Sequence, residues 1–138
     1  MISNLQDQLH RDEGMRLVIY LDTVGKWTIG VGRNLSDVGI SLEEADFLLA
    51  NDIKRATIAL EANFPWATDL DDARKGALLN MTFNMGIRGL SQFHDFLAKM
   101  AAHDFNGAAH AMLDSVWAKQ VGARAQRLSI QIQTGSWQ

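Results

Sequence analysis

The sequence predicts an α+β fold, a small hairpin lobe followed by a larger helical lobe, and three observations carry that prediction. Glycines cluster between residues 25 and 39, whereas the sole proline is Pro65. The hydrophobic period changes along the chain, from short apolar, β-branched runs before residue 32 to helical spacing after residue 41. The length of 138 residues, with 47% apolar side chains, suits one domain able to bury roughly two-thirds of its unfolded surface. Layer logic then places helices beside a small antiparallel unit, with the hairpin lobe at about 14–40 and the helical lobe at about 41–138 plus a helix at 3–13.

The elements follow in order. Residues 3–13 read as a short helix: Leu5 and Leu9 share a face, Ser3 is the expected N-cap, and Gly14 the expected stop. Leu17-Val18-Ile19-Tyr20-Leu21 and Trp27-Thr28-Ile29-Gly30-Val31 read as strands joined by the turn Asp22-Thr23-Val24-Gly25-Lys26. Ser41-Leu42-Glu43-Glu44 is a capping box, Ser followed three residues later by Glu, and it opens a helix through Leu48, Leu49, Ile53, Ala56 and Leu60 that ends before Phe64-Pro65. Asp71 or Asp72 caps the next helix, with Ala77, Leu78, Met81 and Met85 on its apolar side and Gly86 closing it. Further helices fit 91–101, 105–113 and 123–132, with Gly89, Asp104, Gly122 and Gly135 as punctuation. No internal repeat or low-complexity linker interrupts this order.

Composition excludes several function classes. Without cysteine there is no disulfide framework, thiolate metal site or cysteine nucleophile. The net charge of −3 gives no global attraction to nucleic acid or an anionic membrane. No apolar stretch approaches the length of a membrane span, and the polar, acidic Met1–Glu13 segment reads as neither signal peptide nor anchor. A soluble monomer made in the cytoplasm is the expectation. His10, His94, His103 and His110 form no H-E-x-x-H. The seven-residue spacing of His103 and His110 allows a shared helix face, but no carboxylate pattern supports a metal site, and surface or half-buried histidines are the expectation. Gly30-Val31-Gly32 starts a dinucleotide fingerprint, but position 35 is Leu and no helix start follows. Phosphate-loop and serine-hydrolase motifs are absent. Neither metal nor cofactor is implied.

Three residues stand out as candidate catalytic groups: Glu13 at the end of the first helix, Asp22 at the hairpin turn, and Thr28 in the returning strand. A hairpin folding back beside a helix terminus brings such positions to one place. Two carboxylates flanking a bond are what glycoside hydrolysis needs, one protonated to serve the leaving oxygen and the other ionised to handle water. A carboxylate at a helix C-terminus also opposes the dipole, at a cost of about 0.3–1 kcal/mol. On spacing alone, Asp12 and Glu13 fit a solvated helix end balanced by Arg11 and Arg16 better than a catalytic role.

The surrounding motifs add to this. Arg11-Asp12-Glu13-Gly14-Met15-Arg16-Leu17, Ile19-Tyr20-Leu21-Asp22-Thr23 and Trp27-Thr28-Ile29-Gly30-Val31-Gly32 resemble the phage lysozymes of the T-even type, glycoside hydrolase family 24. The resemblance continues through Arg74-Lys75-Gly76-Ala77-Leu78-Leu79-Asn80-Met81-Thr82-Phe83-Asn84-Met85-Gly86, similar to the family's central buried helix. It ends in Arg124-Ala125-Gln126-Arg127 and Gln133-Thr134-Gly135-Ser136-Trp137, covering about residues 3 to 137. What it implies is a lysozyme-like fold and an endolysin, a muramidase that inverts configuration as it cleaves the bond between N-acetylmuramic acid and N-acetylglucosamine in peptidoglycan. Glu13 matches the proton donor, Asp22 the second carboxylate and Thr28 the hydroxyl that helps hold the attacking water. Inversion implies carboxyl groups roughly 6.5–9.5 Å apart. Arg124 matches an arginine that neighbours the donor glutamate, Gly30, Phe83 and Asn84 fall at expected substrate-lining positions, and Trp117 matches a buried structural tryptophan. The lysis systems of the family further imply a separate holin-type partner that permeabilises the membrane.

Departures from the family pattern set the remaining expectations. Arg33 stands where many members have a histidine that serves as a structural salt-bridge partner; the alternative is bidentate binding of a substrate carboxylate. The short stretch between Arg33 and Ser41 resembles the lambdoid branch. Phe96 and Ala111 replace polar groups that T-even enzymes place near substrate. The absence of a basic helix after Trp137 argues against unaided passage through an outer membrane. Two other functions compete with the muramidase: a lytic transglycosylase, which needs the acid but no Asp–Thr water site, and a wall-binding virion module without turnover.

Overall fold

A computed structural model describes all residues from Met1 to Gln138. The chain divides into two compact units, Met1–Leu49 and Ala50–Gln138. In the first, helix α1 runs from Leu5 to Glu13. Its N-cap is Asn4, not the expected Ser3: Asn4 Oδ1 accepts the Asp7 N–H at 2.8 Å, while the Ser3 hydroxyl donates to the Asp7 carboxylate at 2.9 Å. A short amide side chain caps at least as well as a hydroxyl, so the boundary moves by one residue. Gly14 stops the helix as expected, at φ +73°, with its N–H on the His10 carbonyl.

Strands β1 (Arg16–Leu21) and β2 (Trp27–Gly30) pair antiparallel, with Tyr20 opposite Thr28 and Leu21 opposite Trp27. Between Arg16 and Tyr20 the register slips, because four steps on β1 face only two on β2 before Arg16 meets Gly30. β2 stops at Gly30, one residue short of the expected Val31, since Gly30 and Gly32 both take φ +71° and turn the chain. A third strand, β3 (Arg33–Asn34), then returns along β2, with Thr28 opposite Asn34. Two residues are too few to carry a period, so no sequence pattern announces β3.

The capping box forms as expected: Ser41 Oγ accepts the Glu44 N–H at 3.1 Å and Glu44 Oε1 accepts the Ser41 N–H at 2.8 Å. It opens α2 (Leu42–Asn63), which begins in the first unit and continues into the second. Of the apolar stripe expected to face a core, Leu60 alone is fully buried; Leu48, Leu49 and Ile53 remain 43–51% exposed. Period reports which face of a helix suits burial, not how much of its length is covered.

The second unit holds the core. After a 3-10 turn at Pro65–Asp69 come α3 (Asp72–Ser91), α4 (His94–Ala101), α5 (Phe105–Leu113), α6 (Val116–Val121) and α7 (Ala123–Thr134). Asp71 caps α3, Asp104 caps α5, and Ser115 caps α6, an element too short to read from periodicity. Gly86, expected to end α3, instead kinks it at φ +76°, and the helix resumes to Ser91. This continuation occupies the start of the expected 91–101 helix, which begins only at His94. Leu78, Met81, Leu90, Met100, Met112 and Ile132 are fully buried together. Trp117 is buried too, edge-on to Phe93 at 6.0 Å, which matches its expected structural part. Phe96, which stands where T-even enzymes place a polar group near substrate, is 2% exposed and packs edge-on against Phe93 inside this core. His103 sits in the turn before α5 at φ +59°, stacked on Phe105, so it does not share a helix face with His110.

The two ends of this unit are tied by polar contacts as well as packing. Arg74 Nε donates to the Ile132 carbonyl at 2.6 Å, its guanidinium lies 3.8 Å from the Phe105 ring centre, and buried Gln131 donates to the Ala73 carbonyl at 2.7 Å. Trp137 lies on Gly76, where any side chain on α3 would collide with the indole. No helix is long and apolar enough to cross a membrane.

Candidate active site

Asp22 begins a tight turn whose backbone it organises. Its Oδ1 accepts the N–H groups of Val24 (2.9 Å) and Lys26 (2.8 Å), while its own N–H donates to the Lys26 carbonyl at 2.9 Å. A short carboxylate closing on the peptide groups two and four residues ahead is the usual preference of Asp at such turns. Thr28, only 4% exposed, donates its hydroxyl proton to the same Lys26 carbonyl at 2.9 Å. Asp22 and Thr28 are thus fastened to the two polar ends of one residue. Oδ2 of Asp22 receives no protein donor, and the Thr28 oxygen, its proton spent, retains lone pairs for an incoming hydrogen. Lys26 contributes through its backbone, a part no side-chain pattern reveals; the Asp-led turn was the available signal.

Glu13 is the last residue of α1 and is exposed. Its carboxylate lies against Gly32: a side chain added there would meet Glu13 Oε2 at 3.5 Å. Chain order links the two halves of the site, because Gly30, opposite Arg16 and next to this turn, lies two residues beyond Thr28 on β2. Glu13, Asp22 and Thr28 therefore belong to one compact unit built around β2.

Arg33, next to Gly32, pairs bidentately with Glu44, Nη1 on Oε1 and Nη2 on Oε2 both at 2.8 Å, and Nη1 also donates to the Gly39 carbonyl at 3.2 Å. This is the salt-bridge role among the two expected for Arg33; its fork is occupied by a protein carboxylate. The Arg33 guanidinium first, and the Ser41 N–H second, hold the Glu44 carboxyl down to about 2. A lowered folded-state value stabilises the fold above the ordinary carboxylate range, and that contribution disappears as pH falls from about 4.5 toward 2. Urea midpoints of wild type and Glu44→Gln should therefore converge as the buffer is taken from pH 7 to pH 2.5. A gap that persists unchanged at pH 2.5 would remove the ion pair as its cause.

The remaining expected site residues are placed as follows. Gly30, Gly32 and Arg33 border a groove of about 840 Å³ in the first unit, walled by Ile40, Phe47 and Leu48. In the second unit Phe83 is 45% exposed and free of the core cluster. Asn84 accepts the Trp117 indole N–H at 2.7 Å, so its carbonyl oxygen already serves the fold. Arg124 donates from Nε to the Asn80 side chain at 2.9 Å and from Nη2 to the Asn80 carbonyl at 3.4 Å.

Comparison with known proteins identifies the family. The family model described as phage lysozyme matches residues 10–131, a span that holds all three candidate catalytic residues. The chain belongs to the phage lysozyme family. Phage lysozyme relatives extend the match almost end to end. The probable T4-type lysozyme 1 of Dictyostelium discoideum is 30% identical over 165 positions, covering 99% of this chain and 97% of that protein. An endolysin of Acyrthosiphon pisum secondary endosymbiont phage 1 is 30% identical over 120 positions, covering 84% of this chain and 80% of its own. The pre-baseplate central spike protein Gp5 of Enterobacteria phage T4 is also 30% identical, across 96% of this chain but only 28% of that longer protein. The expected α+β, lysozyme-like fold and the assignment to lysozyme-type glycoside hydrolases stand on this family match and on the presence of one three-stranded sheet in a predominantly helical chain.

Proposed function

We propose that this phage lysozyme is a peptidoglycan muramidase that cleaves the β-1,4 bond between N-acetylmuramic acid and N-acetylglucosamine with inversion. The observation that carries the reading is the shared anchoring of Asp22 and Thr28 on Lys26. It leaves one carboxylate oxygen and one hydroxyl oxygen ready to accept both hydrogens of a single water. Glu13 donates its proton to the glycosidic oxygen as the bond to the sugar carbon breaks. Water, held by Asp22 and Thr28, attacks that carbon from the opposite face and yields its proton to Asp22. The sugar thus leaves with inverted configuration. The protein acts as a monomer, needs no metal or cofactor, and reaches the wall once a holin-type partner has opened the membrane, which fits host lysis by a phage or prophage.

The similarity to the pre-baseplate central spike protein Gp5 favours, as the second reading, a wall-binding virion module without turnover. Analysis of the soluble ends released from outer-membrane-stripped walls separates the readings. The muramidase releases reducing N-acetylmuramic ends, first as the α anomer. Anhydro ends would make the protein a transglycosylase, and wall binding without release would make it a binding module.

A further inference from the structure

We infer that the Arg33–Glu44 pair positions the catalytic acid by fixing the turn against which Glu13 rests; the inference rests on the assignment of Glu13 as acid. Gly32 is the contact surface for the Glu13 carboxylate, and at φ +71° it sits in a conformation that a glycine holds only weakly by itself. Its neighbour Arg33 removes that freedom. One guanidinium reaches across the loop to both oxygens of Glu44 and to the Gly39 carbonyl. Glu44 is in turn fixed to the start of α2 through its two-way exchange with Ser41. The loop from Leu35 to Ile40 is thereby closed at its base, and Gly32 is held next to that closure. The planar fork matters because two parallel bonds set orientation as well as distance, which a single ammonium contact does not. Misplacement of a catalytic group by about 1 Å can cost on the order of a hundredfold in rate, so a loosened turn is read in turnover before it is read in binding.

The test uses Arg33→Ala, Arg33→Lys and Glu44→Gln, the last keeping the capping box while discharging the ion pair, with Glu13→Gln as reference. Rates are taken on soluble peptidoglycan fragments at a temperature where circular dichroism shows each variant folded. The expected result is a kcat lowered about tenfold in Arg33→Ala and Glu44→Gln, KM within about twofold of wild type, and partial recovery in Arg33→Lys. If Arg33→Ala does not fold, the other two variants carry the comparison. A raised KM with unchanged kcat would make Arg33 a substrate contact and overturn the inference. So would lowered thermal stability with both constants unchanged. In either case an inactive Glu13→Gln would leave the assignment of the acid standing, whereas an active Glu13→Gln would remove that assignment itself.

Discussion

Replacing Glu13 with glutamine is expected to lower wall-clearing activity by about 10²–10⁴-fold, the usual contribution of a general acid, while the protein stays folded. The amide preserves volume and polarity but has no acidic proton to give the leaving oxygen. Nothing in the fold depends on the charge: Glu13 is exposed, its side chain makes no hydrogen bond, and it ends α1 where the helix dipole disfavours an anion. Thermal stability should accordingly hold or rise. Turbidity loss of stripped walls, measured beside a melting curve, checks both halves. Full activity in Glu13→Gln would end the assignment, and a collapsed melting temperature would show that Glu13 had been structural.

Phe96→Ala is expected to have the largest effect on stability, a loss of about 3–5 kcal/mol. The ring is buried to 2% and set edge-on to Phe93, which itself meets Trp117 edge-on. Deleting it leaves a cavity inside the buried cluster. Against a typical total of about 5–15 kcal/mol, such a loss leaves the protein marginal. Denaturant midpoints with unchanged slope give the number. Activity per folded molecule should be retained, because the side chain faces the core. A variant of normal stability with altered substrate preference would instead place Phe96 on the substrate side.

Much of the fold was legible because local chemistry decided it. Gly14 ends α1, the Ser41–Glu44 box opens α2, Asp71 caps α3 and Asp104 caps α5, each through contacts within four residues. The capping shift to Asn4 and the kink at Gly86 mark the limit of such reasoning. In both places two local solutions compete, and neighbouring residues choose. The Asp22 turn belongs with the legible part, since Asp22 reaches only as far as Lys26.

What the sequence by itself determined is therefore the order of the longer elements, with β3 and α6 too short to announce themselves, the α+β class and the positions of Glu13, Asp22 and Thr28 on a helix end, a turn and a strand. Tertiary structure alone decided the partners of residues far apart in the chain. It gave Arg33 to Glu44, Asn84 to Trp117, Arg124 to Asn80, and Phe96 to the core. It also decided that the α2 stripe is covered at Leu60 and open at Leu48 and Leu49. The physical reason is range: caps and turns are satisfied by backbone groups a few residues away, whereas burial and ion pairing depend on which surface the completed fold brings alongside.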